Sequence, residues 1–147
     1  ILDKAANKQQ VIESAARATA LQPFYTMPEL EPTIANVTRD IEACVFPAVT
    51  AWLRSFMDAK MVVTDSFHGC VFSIIFNKPF WVIGNAERGM ARFKSLLSQF
   101  GLEERMISVQ DIATINWQKP IDRQRVNARR DALRVESLHF LQDCLTP

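Results

Sequence analysis

Glycine is scarce in this chain: there are four in 147 residues, and none falls in a GxGxxG or GxxxxGK[ST] pattern. The lack of such a loop argues against the backbone cradles that mark dinucleotide and P-loop nucleotide sites. Cysteine is scarce as well. Cys44, Cys70 and Cys144 lie far apart, stand in apolar or helical contexts and form no CxxC or Cys/His metal spacing, so they read as buried thiols in a reducing compartment and no metal is expected. An excess of charge is also missing, since 17 Lys and Arg stand against 16 Asp and Glu, a formal charge of +1. Nucleic acid is therefore not an expected partner, and any anion site must be local. No apolar run approaches the ~20 residues that cross a bilayer, and the first residues lack the basic and apolar regions of a signal peptide, so no transmembrane segment is expected. A serine nucleophile elbow, a metal-type histidine pair, a Cys/His dyad and internal repeats are likewise not found. What remains is an ordinary balance, 48% hydrophobic and 22% charged, sufficient for one domain with a useful core.

The most informative stretch is residues 61–85, MVVTDSFHGCVFSIIFNKPFWVIGN. An apolar, β-branched run at 61–64 precedes an apolar run of helical length at 67–76, and 80–83 is again apolar and β-rich. This order predicts strand, helix, strand, the unit of a parallel sheet. The polar cluster Asp65-Ser66-Phe67-His68-Gly69 then falls just beyond the carboxyl end of one strand and at the start of a helix. In open α/β sheets ligands bind at such points, because the first N–H groups of the helix lack internal partners.

Around this centre the rest of the chain follows helical and strand patterns. Ile1-Leu2 reads as the tail of a strand and Asp3 as the N-cap of a helix reaching about Leu21, with Val11, Ile12, Ala15 and Ala16 in its apolar stripe. Pro23, Pro28 and Pro32 predict a loop over 22–36. Ile41, Val45, Val49, Trp52, Leu53, Phe56 and Met57 are spaced for a helix whose regular part starts at Pro47. Residues 88–100 form an amphipathic pattern closed by Gly101, a short strand is expected at 106–108 and one helical turn at 111–113. Beyond Pro120, Val126, Leu133, Leu138, Leu141 and Leu145 predict a closing helix packed across the sheet. Trp52 and Trp81 read as core aromatics, His139 as structural, and Trp117 as a conceivable sugar-stacking surface. The arginines of the last helix alternate with acids and read as a solvated face.

His68 is the residue with most chemical promise. It stands in the first turn of an otherwise apolar helix, where bound anions are favoured and would restore the imidazolium form, a proton donor near neutral pH. A structural histidine fits the same position. Asp65 and Ser66 are good helix caps on any account, and the Ser66 hydroxyl with the N–H groups of His68 and Gly69 would also make an anion cradle. Gly69, without a side chain, admits a ligand or a neighbouring segment. A second junction, 84–89, offers another helix start, with Arg88 in its first turn and Arg92 one turn on; two guanidinium groups so spaced can grip a carboxylate or phosphate, or simply face solvent beside Glu87.

These residues carry a family likeness. The segment TDSFHGCVFSIIFNKPFWVIGN, the following RGMARFKSLL and the later FGLEER together resemble the C-terminal half of the polysaccharide pyruvyl transferase family, with residues 41–107 covered well and the tail more loosely. The resemblance implies a three-layer, Rossmann-like α/β domain with a parallel sheet, residues 1–147 forming the C-terminal half of a two-domain, glycosyltransferase-B-like enzyme. It further implies an N-terminal domain not contained in this chain, and a fragment inactive by itself. The implied reaction moves a pyruvyl group from phosphoenolpyruvate, the donor substrate, to two hydroxyls of a glycan or lipid-linked sugar acceptor, giving a ketal without any cofactor. It would take place in the cytoplasm or at the inner face of the membrane. His68 is then the expected catalytic residue, and Ser66, Phe67, Gly69, Asn85, Arg88 and Arg92 the expected substrate-binding set. Two other readings share the architecture: a glycosyltransferase using a nucleotide-sugar donor, and a non-catalytic interaction domain whose junction at 65–69 would be buried and filled by side chains.

Overall fold

The computed structural model describes residues 6–84 and 89–146. Three parallel strands, β1 (Val62–Thr64), β2 (Phe80–Ile83) and β3 (Met106–Ile107), form a sheet in the order β1-β2-β3. Val62 pairs with Phe80, Thr64 with Val82, and Ile83 with Ile107. Parallel neighbours need crossovers: α4 (Phe67–Ile75) links β1 to β2, and α5 (Met90–Phe100), followed by a 3-10 turn, lies between β2 and β3. The expected strand, helix, strand unit is therefore present almost residue for residue.

Every side chain of β2 is buried, and alternate residues go to opposite sides. Phe80 and Val82 join Phe56, Val62, Cys70, Ile74, Phe93, Leu97 and Phe100 in one core. Trp81 and Ile83 join Val11, Ala15, Ile107 and Trp117 in a second. The first core is roofed by α3 (Val49–Asp58), α4 and α5, the second by α1 (Ala6–Thr19). Helices thus cover both faces of a small parallel sheet, a mixed α/β arrangement consistent with the Rossmann-like class.

Several boundaries differ from the sequence pattern for local reasons. The opening strand and the Asp3 cap lie outside the described residues. α1 ends at Thr19, not Leu21, because Ala20 takes a left-handed conformation with φ 55°. A short helix, α2 (Ile34–Arg39), occupies the end of the expected loop; Thr33 caps it by accepting from the Asn36 N–H at 3.3 Å. α3 starts at Val49 with Ala48 as N-cap, so Pro47 precedes the helix and is not in its first turn. Ile41 and Val45 flank a 3-10 turn and stay exposed. Gly101 ends α5 as expected, with φ 61° and the Leu102 N–H reaching back to the Leu97 carbonyl at 2.9 Å.

The last helix, α6 (Arg123–Leu145), does not pack across the sheet. It is anchored near its start, where Val126 is buried and Arg125 and Arg129 donate to the carbonyls of Gly101 and Gln99 at 2.7 and 3.2 Å. Val135, Leu138, Phe140, Leu141 and Leu145 are exposed, as is His139. Cys144 is exposed too, against the expectation that all three thiols are buried. Trp117 is buried and donates to Ser14 Oγ at 3.2 Å, which removes it as a sugar platform. Arg105, unremarked in the sequence, is fully buried with its guanidinium 4.8 Å over the Trp81 ring and a hydrogen bond to the Pro120 carbonyl. Burial holds its pKa below the ordinary arginine range, partly opposed by Glu104.

Cys70, inside the first core, has its thiol pushed up to about 12 by burial. A raised folded-state value means that this contribution to stability is complete below the unfolded thiol's range and is lost as pH climbs from about 9 toward 12. At pH 8 an aromatic disulfide reagent should label Cys144 in the native protein and Cys70 only on unfolding; labelling of both at one rate would show that the α4 side of the core is open. Truncation of Leu97, fully buried in the same core, to Ala should lower stability by about 3 kcal/mol in urea denaturation.

Candidate functional site

β1 delivers the chain to the start of α4 through four residues whose polar groups organise one another. Thr64, fully buried at the strand's end, accepts from the Ser66 N–H through Oγ1 at 3.0 Å. That bond turns the chain out of the sheet and sets Ser66 in the extended conformation, φ −95° and ψ 132°, that an N-cap requires. Ser66 Oγ accepts in turn from the Gly69 N–H at 3.4 Å, and the Ser66 carbonyl from the Cys70 N–H at 3.0 Å. The capping role of Ser66 is therefore present. It commits the Gly69 N–H inside the protein, whereas the N–H groups of Phe67 and His68 meet no side-chain acceptor among the described residues.

Gly69 is buried, and the neighbour it admits is Thr64: a Cβ at position 69 would run into Thr64 Oγ1 and come within 3.0 Å of Thr64 Cβ. The missing side chain lets α4 sit down on β1. Asp65, 4% exposed, forms an ion pair with Lys8 of α1, itself 8% exposed. Ser66 and Phe67 are half-buried and His68 is exposed. The junction is thus filled at its base, by Thr64, Asp65 and Gly69, and open at its rim.

Phe67 links the two junctions. Its ring packs edge-on against Phe93 of α5 at 5.9 Å and lies 6.0 Å from the His68 ring. The Arg92 guanidinium stands over it, 5.5 Å from the centroid, a cation–π distance. α5 begins at Met90 with Gly89 as its N-cap, in a left-handed conformation with φ 83°. Arg92 therefore stands in the first turn of that helix, exposed. The structure so brings Ser66, Phe67, His68 and Arg92 to one rim at the carboxyl side of β1. Asn85 and Arg88, named with them from the sequence, lie outside the described residues.

This rim can hold an anion between an exposed imidazole, the first amides of α4 and an arginine fixed by an aromatic ring. Two cavities lie elsewhere. One of about 460 Å3 opens among the end of α1, residues 20–26 and the start of β1; another of about 550 Å3 is lined by residues 25–29 and 40–47. Neither includes Ser66, Phe67, His68 or Arg92. Among the described residues no group of three His, Cys, Asp or Glu could hold a metal ion, and no helix is long and apolar enough to cross a membrane.

Lys8 is a residue of this junction that pattern reading missed. The signal for it was available: positions 8, 11 and 15 share one helix face, and Val11 and Ala15 are buried. A lysine on such a stripe needs a buried partner.

Substituting Gly69 by Ala should destabilise the protein by about 2 kcal/mol through overlap with Thr64, and Ser66 by Ala by about 1 kcal/mol through loss of the cap. Thermal denaturation checks both; a neutral Gly69→Ala would show that α4 can lift from β1 at little cost.

Among known proteins, residues 6–87 match the family model described as polysaccharide pyruvyl transferase, a segment running from α1 past β2 and containing the whole β1 to α4 junction. No curated protein and no solved structure matches the chain.

Proposed function

The chain belongs to the polysaccharide pyruvyl transferase family, and on that premise we propose that the rim formed by Ser66, Phe67, His68 and Arg92 binds phosphoenolpyruvate and takes part in transfer of its pyruvyl group to a sugar. The observation that supports this most is the exposed His68 in the first turn of α4, beside a guanidinium seated on Phe67.

The reaction has definite requirements. C3 of the enol gains a proton, which makes C2 cationic; one sugar hydroxyl adds to C2; the C2–O bond to phosphate breaks; and a second hydroxyl closes the ketal. Of the two hydroxyl protons released, one balances the proton added at C3 and the other leaves with phosphate. The protein must supply a proton donor and groups that hold carboxylate and phosphate in place as charge shifts between them. His68 is the donor, either to C3 or to the departing phosphate. Ser66 with the first amides of α4 takes one anionic end. Arg92, helped by Arg88 and Asn85, takes the other. Imidazole suits the task because its charge changes nearest to neutral pH.

The acceptor, a glycan or lipid-linked sugar, lies mainly on an N-terminal domain of the full-length protein, across a cleft of the glycosyltransferase-B kind, and the reaction runs in the cytoplasm or at the inner face of the membrane. A nucleotide-sugar donor has no support from the family match. An interaction domain would have the whole 65–69 turn filled in, and here the rim is open.

In the full-length enzyme, His68→Ala should lower turnover by at least about a hundredfold with the fold intact by circular dichroism. Retention of most activity would remove His68 from the mechanism. Arg92→Lys keeps the charge but loses the planar fork, and should raise KM for phosphoenolpyruvate more than it lowers kcat; a uridine diphosphate titration tests the nucleotide-sugar alternative.

A further inference from the structure

We propose that the cavity of about 460 Å3 at the amino end of β1 is a sugar-binding subsite, which takes an uncharged pyranose ring against Phe24 and Tyr25. The inference stands apart from the donor-binding reading, because the rim of Ser66, Phe67, His68 and Arg92 lies at the carboxyl side of the same strand and contributes nothing to this cavity.

Three parts of the chain meet in the lining. α1 ends at Thr19, Ala20 takes its left-handed conformation with φ 55°, and residues 21–26 then join the end of α3 and residues 60–63 around the cavity. Its walls include Ala15, Phe56 and Val62, which are buried and belong to the two cores. The volume falls within the range of roughly 300–1,000 Å3 found for small-ligand sites. Phe24 and Tyr25 also line the cavity, yet they stay 57% and 59% exposed. Single exposed apolar residues are ordinary, whereas two adjacent aromatic rings beside a cavity mark a surface that a ligand covers. Tyr25 is held in place as well. Its hydroxyl donates to Gln9 Oε1 of α1 at 3.2 Å, and Gln9 Nε2 donates to Glu13 at 3.3 Å. A ring fixed beforehand costs less to order when a ligand arrives.

The remaining groups select the ligand. The charged residues lining the cavity are Asp58 and Lys60, one of each sign, and the Asp58 carboxylate already accepts from Arg54 Nε at 2.9 Å through both oxygens. Neither an anion nor a cation gains much from such a lining. A wholly apolar ligand is disfavoured too, since it would strip water from Gln22, Ser55, Asp58 and the Tyr25 hydroxyl without replacing the hydrogen bonds. A sugar ring meets both conditions: its C–H faces suit the aromatic rings, and its hydroxyls suit an amide, hydroxyl oxygens and the further lone pairs of a carboxylate. The family description ties the chain to polysaccharide. A subsite at this end of β1 holds a glycan unit other than the one that carries the reacting hydroxyls.

The test is saturation-transfer NMR and calorimetric titration of the full-length protein with the methyl glycosides of glucose, galactose, mannose and N-acetylglucosamine, and with n-hexanol as an apolar probe. At least one glycoside should bind with millimolar affinity. Phe24→Ala/Tyr25→Ala should weaken that binding about tenfold while leaving phosphoenolpyruvate affinity within about twofold of the parent. Asp58→Asn, which keeps the shape of the side chain and lowers its accepting power, should weaken glycoside binding about threefold. Absence of binding by all four glycosides, or binding of n-hexanol alone, would overturn the proposal. So would glycoside binding that the double variant leaves unchanged, since the sugar would then sit elsewhere, and so would a double variant that loses phosphoenolpyruvate together with the glycoside. If the double variant does not fold by near-ultraviolet circular dichroism, Asp58→Asn decides, and parent-like glycoside affinity there refutes the subsite. Absence of phosphoenolpyruvate binding to the parent overturns the donor-site reading alone.

Discussion

The site depends on how closely α4 approaches β1. The contact is made between a strand-end threonine and a helical glycine: Thr64 fills the volume that a side chain at position 69 would occupy. The same Thr64 hydroxyl takes the Ser66 N–H. One buried side chain thus sets both the height of the helix above the strand and the angle at which the chain enters it. Everything on the rim follows from that seating. Ser66 is brought to its capping position, Phe67 is pressed toward Phe93 of α5, and His68 is turned outward. Because neighbouring parallel strands fix α4 and α5 side by side, Arg92 of α5 comes to stand over the Phe67 ring.

Much of this was legible in the sequence, and the legible parts share a cause. β1, α4, β2 and α5 are each coded by residues close together: β-branched runs, an apolar run of helical length, Pro79 after one helix and Gly101 after another. Local steric rules act on such signals directly. The positions of Ser66, His68 and Arg92 could be read for the same reason, since each stands in or beside the first turn of a helix that follows a strand. The functional suggestion for Gly69 met a more local explanation, in that the space it opens is used by Thr64.

What could not be read is the identity of partners far away in the chain. Lys8 meets Asp65 across 57 positions, and Arg105 meets the Pro120 carbonyl and the Trp81 ring through the folded core. Periodicity tells which residues share a face and is silent about what covers that face. α6 shows the distinction. Its leucines recur with helical spacing, and a helix forms over Arg123–Leu145, yet the core takes up Val126 and, half-buried, Leu133, while the apolar residues from Val135 onward stay exposed. Helix formation and helix packing are separate events, and the pattern reports the first.

Two buried cations among the described residues, Lys8 and Arg105, illustrate how the fold handles charge at opposite strand ends. Arg105 precedes β3 and is held by an aromatic face and a carbonyl, so its charge is spread over dipoles and a ring with only a distant carboxylate, Glu104 at 3.7 Å. Such an environment leaves the positive charge in excess, which is why burial depresses its pKa. Lys8, by contrast, faces a full carboxylate beyond the end of β1. A cation held by dipoles serves where only the chain must be fastened. Pairing a cation with a carboxylate instead lets each charge offset the cost of burying the other, and removing either partner would leave the remaining charge buried.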